Sequence, residues 1–265
     1  MSRPDALREV RIGCVQYLNS RPLIHGLEDV FLAHPRELAA QLRAGRIDAA
    51  LVPVFELLRA PGDYRVVDGV AISSDGPVYS VYVAHRRPLE ELTAVTADPA
   101  SLTSVHLFKV LAAGALKREL PLVNEGEQFG GVEDLTKGRL LIGNQAIAHR
   151  LRQESAGEMF WDLGEAWTRW SGLPFVYAVW VLRRDLAGVN AVADAFREVA
   201  HAGKAAIGEI ARAETEFGAE LALRYLSEQI RFELGAAEHS GLARFSSELE
   251  KMGLVAAGRP RLDVV

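Results

Sequence analysis

The stretch from residue 36 to residue 54 permits few architectures. Residues 36–45 carry Leu38, Ala39 and Leu42 at helical spacing, and Gly45 stands where such a helix would stop. Residues 46–54 then form an apolar run of strand length, and Pro53 forbids its continuation as an interior strand. A similar run, residues 10–15, precedes the helix. Strand, helix and strand at this spacing make a parallel βαβ unit, whose crossover is right-handed. The chain is therefore expected to build an α/β fold around a parallel sheet with helices on its faces.

Further apolar runs fit that scheme. Residues 64–72, 78–84, 93–96, 121–125, 139–143, 159–163 and 175–182 read as strands. Residues 55–59, 101–120, 132–137, 164–170 and 190–254 read as helices, the last with a turn near Gly235, His239, Ser240 and Gly241. No polar linker separates domains. Two nearly uninterrupted apolar strands, 78–84 and 175–182, are expected to carry the crossings between two lobes. One lobe is then residues 1–80 with 178–265, the other residues 81–177, and a ligand cleft lies between them.

Composition narrows the functional classes. Of 265 residues, 49% are hydrophobic and 25% charged, and the net charge of −5 disfavours a nucleic-acid partner. A single cysteine, Cys14, excludes an intrachain disulfide. No apolar run approaches the ~20 residues needed to cross a bilayer, and residues 1–10 are polar, so no membrane partner and a cytoplasmic location are expected. Nucleotide-binding, zinc-protease, hydrolase and kinase motifs are absent. The seven histidines show no metal-ligand spacing, so no metal or cofactor is expected; only His106, beside a helix start, is a candidate to face the cleft.

What remains is a set of turns bearing hydroxyl and amide groups: Asn19-Ser20, Ser73-Ser74, Ser80, Ser101 with Thr103-Ser104, and Asn144-Gln145. Each alone is an ordinary cap or turn. Gathered at strand ends in both lobes, such neutral donors suit a small organic acid held at helix N-termini. Ser73, Ser74 and Asn144 are expected among the substrate-binding groups on this ground.

The blocks Val15-Gln16-Tyr17-Leu18-Asn19-Ser20-Arg21-Pro22-Leu23, Asp48-Ala49-Ala50-Leu51-Val52-Pro53, Ser73-Ser74-Asp75-Gly76-Pro77, Leu102-Thr103-Ser104-Val105, Leu140-Leu141-Ile142-Gly143 and Gly172-Leu173-Pro174-Phe175-Val176 resemble the chorismate dehydratases of menaquinone biosynthesis by the futalosine route. The resemblance implies a two-lobed α/β fold like the type 2 periplasmic binding proteins. It implies chorismate as the small-molecule substrate, losing water to give 3-[(1-carboxyvinyl)oxy]benzoate. It carries over Asn19 and Ser80 as active-site residues, and Ser20, Thr103 and Ser104 as binders of substrate carboxylates. Where the family usually has Asp after Ile-Gly, this chain has Asn144, which can replace a hydrogen bond but not a charge. Two competing readings are the related 1,4-dihydroxy-6-naphthoate synthase, which the Tyr-Leu-Asn-Ser block disfavours, and a cytoplasmic organic-anion binding protein.

Overall fold

β1 (Ile12–Cys14) runs beside β2 (Phe31–Leu32), and α1 (Pro35–Arg43) returns the chain to β3 (Ala49–Pro53) on the other side of β1. All three strands are parallel, as the spacing of residues 36–54 requires. α2 (Val54–Arg59) leads to β4 (Tyr64–Ser74), after which the chain leaves this sheet. The elements β5 (Val81–His85), β6 (Ala94–Ala97), α3 (Thr103–Gly114), β7 (Leu122–Asn124), β8 (Lys137–Ile142), α4 (Gly143–Gln153) and β9 (Met159–Asp162) follow. Their strands form a second sheet in the order β7-β6-β8-β5-β9. α5 (Leu163–Ser171) carries the chain back to β10 (Phe175–Arg183), and α6 (Val189–Ala205), α7 (Ile207–Arg212), α8 (Ala219–Arg224) and α9 (Ala236–Lys251) come next. β11 (Asp263–Val264) closes the first sheet in the order β11-β4-β10-β3-β1-β2. This computed structural model describes residues 3–97, 101–124, 135–153, 157–258 and 262–265.

One strand in each sheet runs against its neighbours: β10 between β3 and β4, and β5 between β8 and β9. Each is the first strand after the chain changes sheets. A strand arriving from the other sheet starts at the end where the parallel strands finish, so it must run the opposite way. Both sheets therefore turn the same kind of edge toward one another: carboxyl ends of parallel strands and amino ends of arriving ones.

Of the two strands expected to carry the crossings, 175–182 lies whole within the first sheet and 81–84 of the other lies within the second, and the boundary at residues 177–178 falls inside β10. The crossings themselves are residues 75–80 and the segment containing α5. β4 also runs two residues further than its apolar pattern, because Ser73 and Ser74 pair with Val176 and Phe175 and Ser73 bridges to Arg231. That bridge interrupts the expected helical tail between residues 229 and 236. Residues 132–134 of the helix expected over 132–137 lie outside the described residues, and Lys137 opens β8.

Aromatic residues fill the layers between sheet and helices. Trp180 stacks on Phe196 of α6 with ring centres 4.3 Å apart, and Trp167 meets Phe175 and Phe245 edge-on at 5.2 and 5.9 Å. All five are fully buried, and burial of each such side chain contributes roughly 1.5–3 kcal/mol. Cys14 lies in the same interior, where burial pushes its thiol up to about 12 and leaves it unreactive.

Candidate functional site

The edges that the two sheets turn toward each other line a cleft whose unfilled space, open solvent at its mouth included, is about 610 Å³; clefts between such edges are where small molecules bind. The first sheet contributes Val15, Tyr17 and Asn19 after β1, Pro53 of β3, Ile72 of β4, and Tyr177 with Ala178 of β10. The second contributes Val81, Ile142 and Gly143, and Pro35, Val78, Ser80 and residues 101–104 complete the wall. Every described side chain on that wall is uncharged.

Two helices begin at this wall. Among the described residues no side chain caps the start of α3, which leaves its first N–H groups available to an acceptor from the cavity. Beside it the Ser101 hydroxyl is buried with no hydrogen-bond partner among the described residues. The Thr103 Oγ1 accepts the Phe55 N–H at 3.2 Å, tying α3 to α2 across the cavity's rim. α4 starts at Gly143, whose φ of 58° and close packing on the Tyr17 ring both exclude a side chain. A Cβ there would lie 2.7 Å from the ring.

Asn19 lies in a 3₁₀ turn, Leu18–Ile24, that already includes Asn19 and Ser20 and keeps Pro22 inside it. Both polar residues therefore lie within the helical turn and not ahead of it. The tighter turn forms because the Tyr17 carbonyl accepts the Ser20 N–H at 3.1 Å. Asn19 Nδ2 donates to the Tyr225 hydroxyl at 3.1 Å, while its Oδ1 is buried without a partner among the described residues. The Ser80 hydroxyl, fully buried, lies 2.7 Å from the same Tyr225 oxygen.

A single buried carboxylate shapes the loop that presents Ser80. Asp162 accepts the N–H groups of Val78 and Tyr79 on the crossing and those of Gly164 and Glu165 at the start of α5. It thereby delays the strand expected over 78–84, which starts only at Val81, and holds Tyr79 at a φ of 65°, a conformation that costs energy for a tyrosine. Burial raises the carboxyl's pKa, against the pull of these four amides.

Of the residues singled out from sequence, Asn19, Ser80, Ser101, Thr103 and Ser104 meet at the cavity. Four others spend their side chains within the protein. Ser20 bonds back to the Val15 and Tyr17 carbonyls at 2.7 Å each, as a residue inside a 3₁₀ turn can. Ser73 faces the carbonyls of Arg231 and Glu233, because β4 continues through it. Ser74 pairs with the Tyr177 hydroxyl at 3.0 Å. Asn144 Oδ1 accepts the Leu18 N–H at 2.9 Å, a task for any acceptor, which explains why an amide serves there. Tyr225 was missed, since its spacing reads as an ordinary helical core position.

His106 is also off the wall. Its ring stacks on Phe55 with centres 3.4 Å apart, and its Nδ1 lies 2.7 Å from the Leu102 carbonyl. Burial brings its pKa down to about 4. Between that value and the ~6.5 of an unfolded chain, the unfolded state binds the extra proton. Stability contributed here is therefore complete above pH 6.5 and is lost as pH falls toward 4. The melting temperature is expected to drop over this range, and to drop less in His106→Phe; equal pH dependence in the two proteins would refute the assignment.

The model of the family described as "Menaquinone biosynthesis" matches residues 10–251. A chorismate dehydratase from Thermus thermophilus is 30% identical over 266 aligned positions, covering 92% of this chain and 96% of that one. In structure, a protein from Archaeoglobus fulgidus superposes with a TM-score of 0.69 at 15% identity, covering 93% of this chain and 98% of that one. A Candida albicans protein described as having the generic periplasmic binding protein fold superposes with a TM-score of 0.62 at 12% identity, covering 94% and 92%. The two sheets and the cavity between their facing edges are thus a periplasmic-binding-protein-like α/β fold. Among the described residues no helix is long and apolar enough to cross a membrane.

Proposed function

Because the chain belongs to the menaquinone-biosynthesis family, we propose that it is a carbon–oxygen lyase that removes water from chorismate to give 3-[(1-carboxyvinyl)oxy]benzoate. The observation that carries this reading is the chemistry of the cavity wall. It is uncharged, yet it combines the uncapped start of α3 with amide and hydroxyl groups on both sides. A dicarboxylic acid is matched by such fixed dipoles, which need no counter-ion to be desolvated with it. The open N–H groups of α3 with Thr103 and Ser104 receive one carboxylate. The two sheets mark two lobes that close over the substrate from residues 75–80 and 163–174.

In the reaction the ring loses the hydrogen at C3 and the hydroxyl at C4. The C3–H electron pair becomes the new ring double bond, the C4–O pair leaves with oxygen, and the C3 proton ends on that oxygen as water. Aromatisation drives the sequence. Among the described residues the wall offers no carboxylate, imidazole or amine base, so the substrate's own enolpyruvyl carboxylate, beside the C3 hydrogen, takes the proton first while the protein fixes the geometry. Exclusion of water on closure makes that carboxylate more basic. Asn19 and Ser80 hold the reacting groups, and Ser20, Ser73, Ser74 and Asn144 support the wall from behind.

The test is incubation of the purified protein with chorismate alone. Appearance of the aromatic product by absorbance and mass is expected. Tight binding of chorismate by calorimetry without its consumption would replace the enzyme by an anion-binding protein.

A further inference from the structure

Tyr225 is absent from the cavity wall, yet its hydroxyl stands between the two residues proposed to hold the reacting groups. Among the described residues its hydrogen-bond partners are Asn19 and Ser80. A phenol carries one proton. Asn19 Nδ2 donates to it, so the phenolic oxygen already accepts. If Ser80 donated as well, the phenolic proton would be buried with no acceptor, which folded interiors avoid. The proton therefore runs from Tyr225 to Ser80. That leaves the Ser80 hydroxyl proton free for the cavity, and it leaves Asn19 Oδ1 as a buried, unpaired acceptor beside it.

One donor next to one acceptor complements an alcohol, which both accepts and donates through a single oxygen. A carboxylate has no proton to offer Asn19 Oδ1. We propose that Tyr225 is a positioning residue that fixes the direction of this hydrogen-bond chain, so that Ser80 donates to, and Asn19 accepts from, the hydroxyl that leaves C4. This rests on the dehydratase reading above. Tyr225 opens a π-helical turn, Tyr225–Gln229, that widens the end of α8, and Ser80 follows the left-handed Tyr79. Burial also raises the pKa of the phenol, so Tyr225 orients without giving up its proton.

Tyr225→Phe removes the phenolic oxygen and keeps the ring. With chorismate, kcat is expected to fall about 10- to 100-fold while KM changes less than about threefold, the pattern of an interaction made in the transition state. In Ser80→Ala the chain is already broken, so adding Tyr225→Phe is expected to cost no further activity. The melting-temperature shifts of the two single variants, measured without substrate, are expected not to add in the double variant. Wild-type kcat in Tyr225→Phe, or additive losses in either measurement, would overturn the proposal while leaving the dehydratase reading intact. A wild-type protein that leaves chorismate unchanged overturns both.

Discussion

Asn19→Asp is expected to lower kcat/KM on chorismate by about a thousandfold or more while the protein still folds. The two side chains are nearly the same size, so the effect is chemical. First, the substitution removes the Nδ2–H that donates to Tyr225. Loss of that link costs about the 10- to 100-fold expected for Tyr225→Phe. Second, it puts a carboxylate into a wall that otherwise carries no charge, against a substrate with two carboxylates. Two like charges about 4 Å apart repel by roughly 4 kcal/mol at an effective dielectric of about 20, close to a further factor of a thousand. Both effects have the same sign. The folding cost is smaller, because the residue is half-buried at the cavity and loses one hydrogen bond, about 1 kcal/mol. Steady-state kinetics and thermal melts separate the two. Unchanged turnover would remove Asn19 from the mechanism, and a loss of turnover that merely tracks a loss of fold would make it structural.

Gly203→Ala is expected to damage stability and turnover together, from a position that touches no substrate. Gly203 lies on the face of α6 that packs against the Leu18–Ile24 turn. A Cβ there would fall 1.7 Å from the Pro22 carbonyl oxygen and 2.6 Å from its carbon. Backbone is on both sides, so no side chain can swing away. Either α6 or the turn must move, and the turn carries Asn19. Such overpacking costs roughly 1–3 kcal/mol or more, and at about 2–4 °C per kcal/mol for a chain of this size the melting temperature should fall by up to about 12 °C. A displacement of ~1 Å at Asn19 would lower kcat by up to about 10²-fold. Gly208→Ala is the control. It is also helical, and its nearest neighbour is the tip of Arg212 at 3.8 Å, so little or no loss is expected. Similar melts for the two variants would show that the close approach at Gly203 is not structurally important.

The parts of the site that could be read from the chain were those with a local cause. The spacing of Leu38 and Leu42, the stop at Gly45 and the apolar run to Pro53 fix a parallel βαβ unit, and its strand ends fix where polar turns gather. The polar turns that include Asn19, Ser80, Thr103 and Ser104 were legible this way, and these four line the cavity; their proposed roles come from the family resemblance. Ser73 and Ser74 follow the same local rule and fail it, since β10 and Arg231, over a hundred residues away in the chain, extend β4 through them. Tyr225 shows the converse. Its spacing suits core packing, and only the return of α8 beside the crossing at Ser80 turns a core phenol into part of a hydrogen-bond chain.

The sequence by itself determined the class of fold and the neutral polar turns from which the cavity draws part of its lining, since hydrophobic period, proline and glycine act within a few residues of chain. The tertiary structure decided which hydroxyls face the cavity, which bond back to the protein, and which way the protons point. Those outcomes depend on the partners that each buried polar atom meets after the two sheets come together, and a buried donor or acceptor takes the partner that packing supplies.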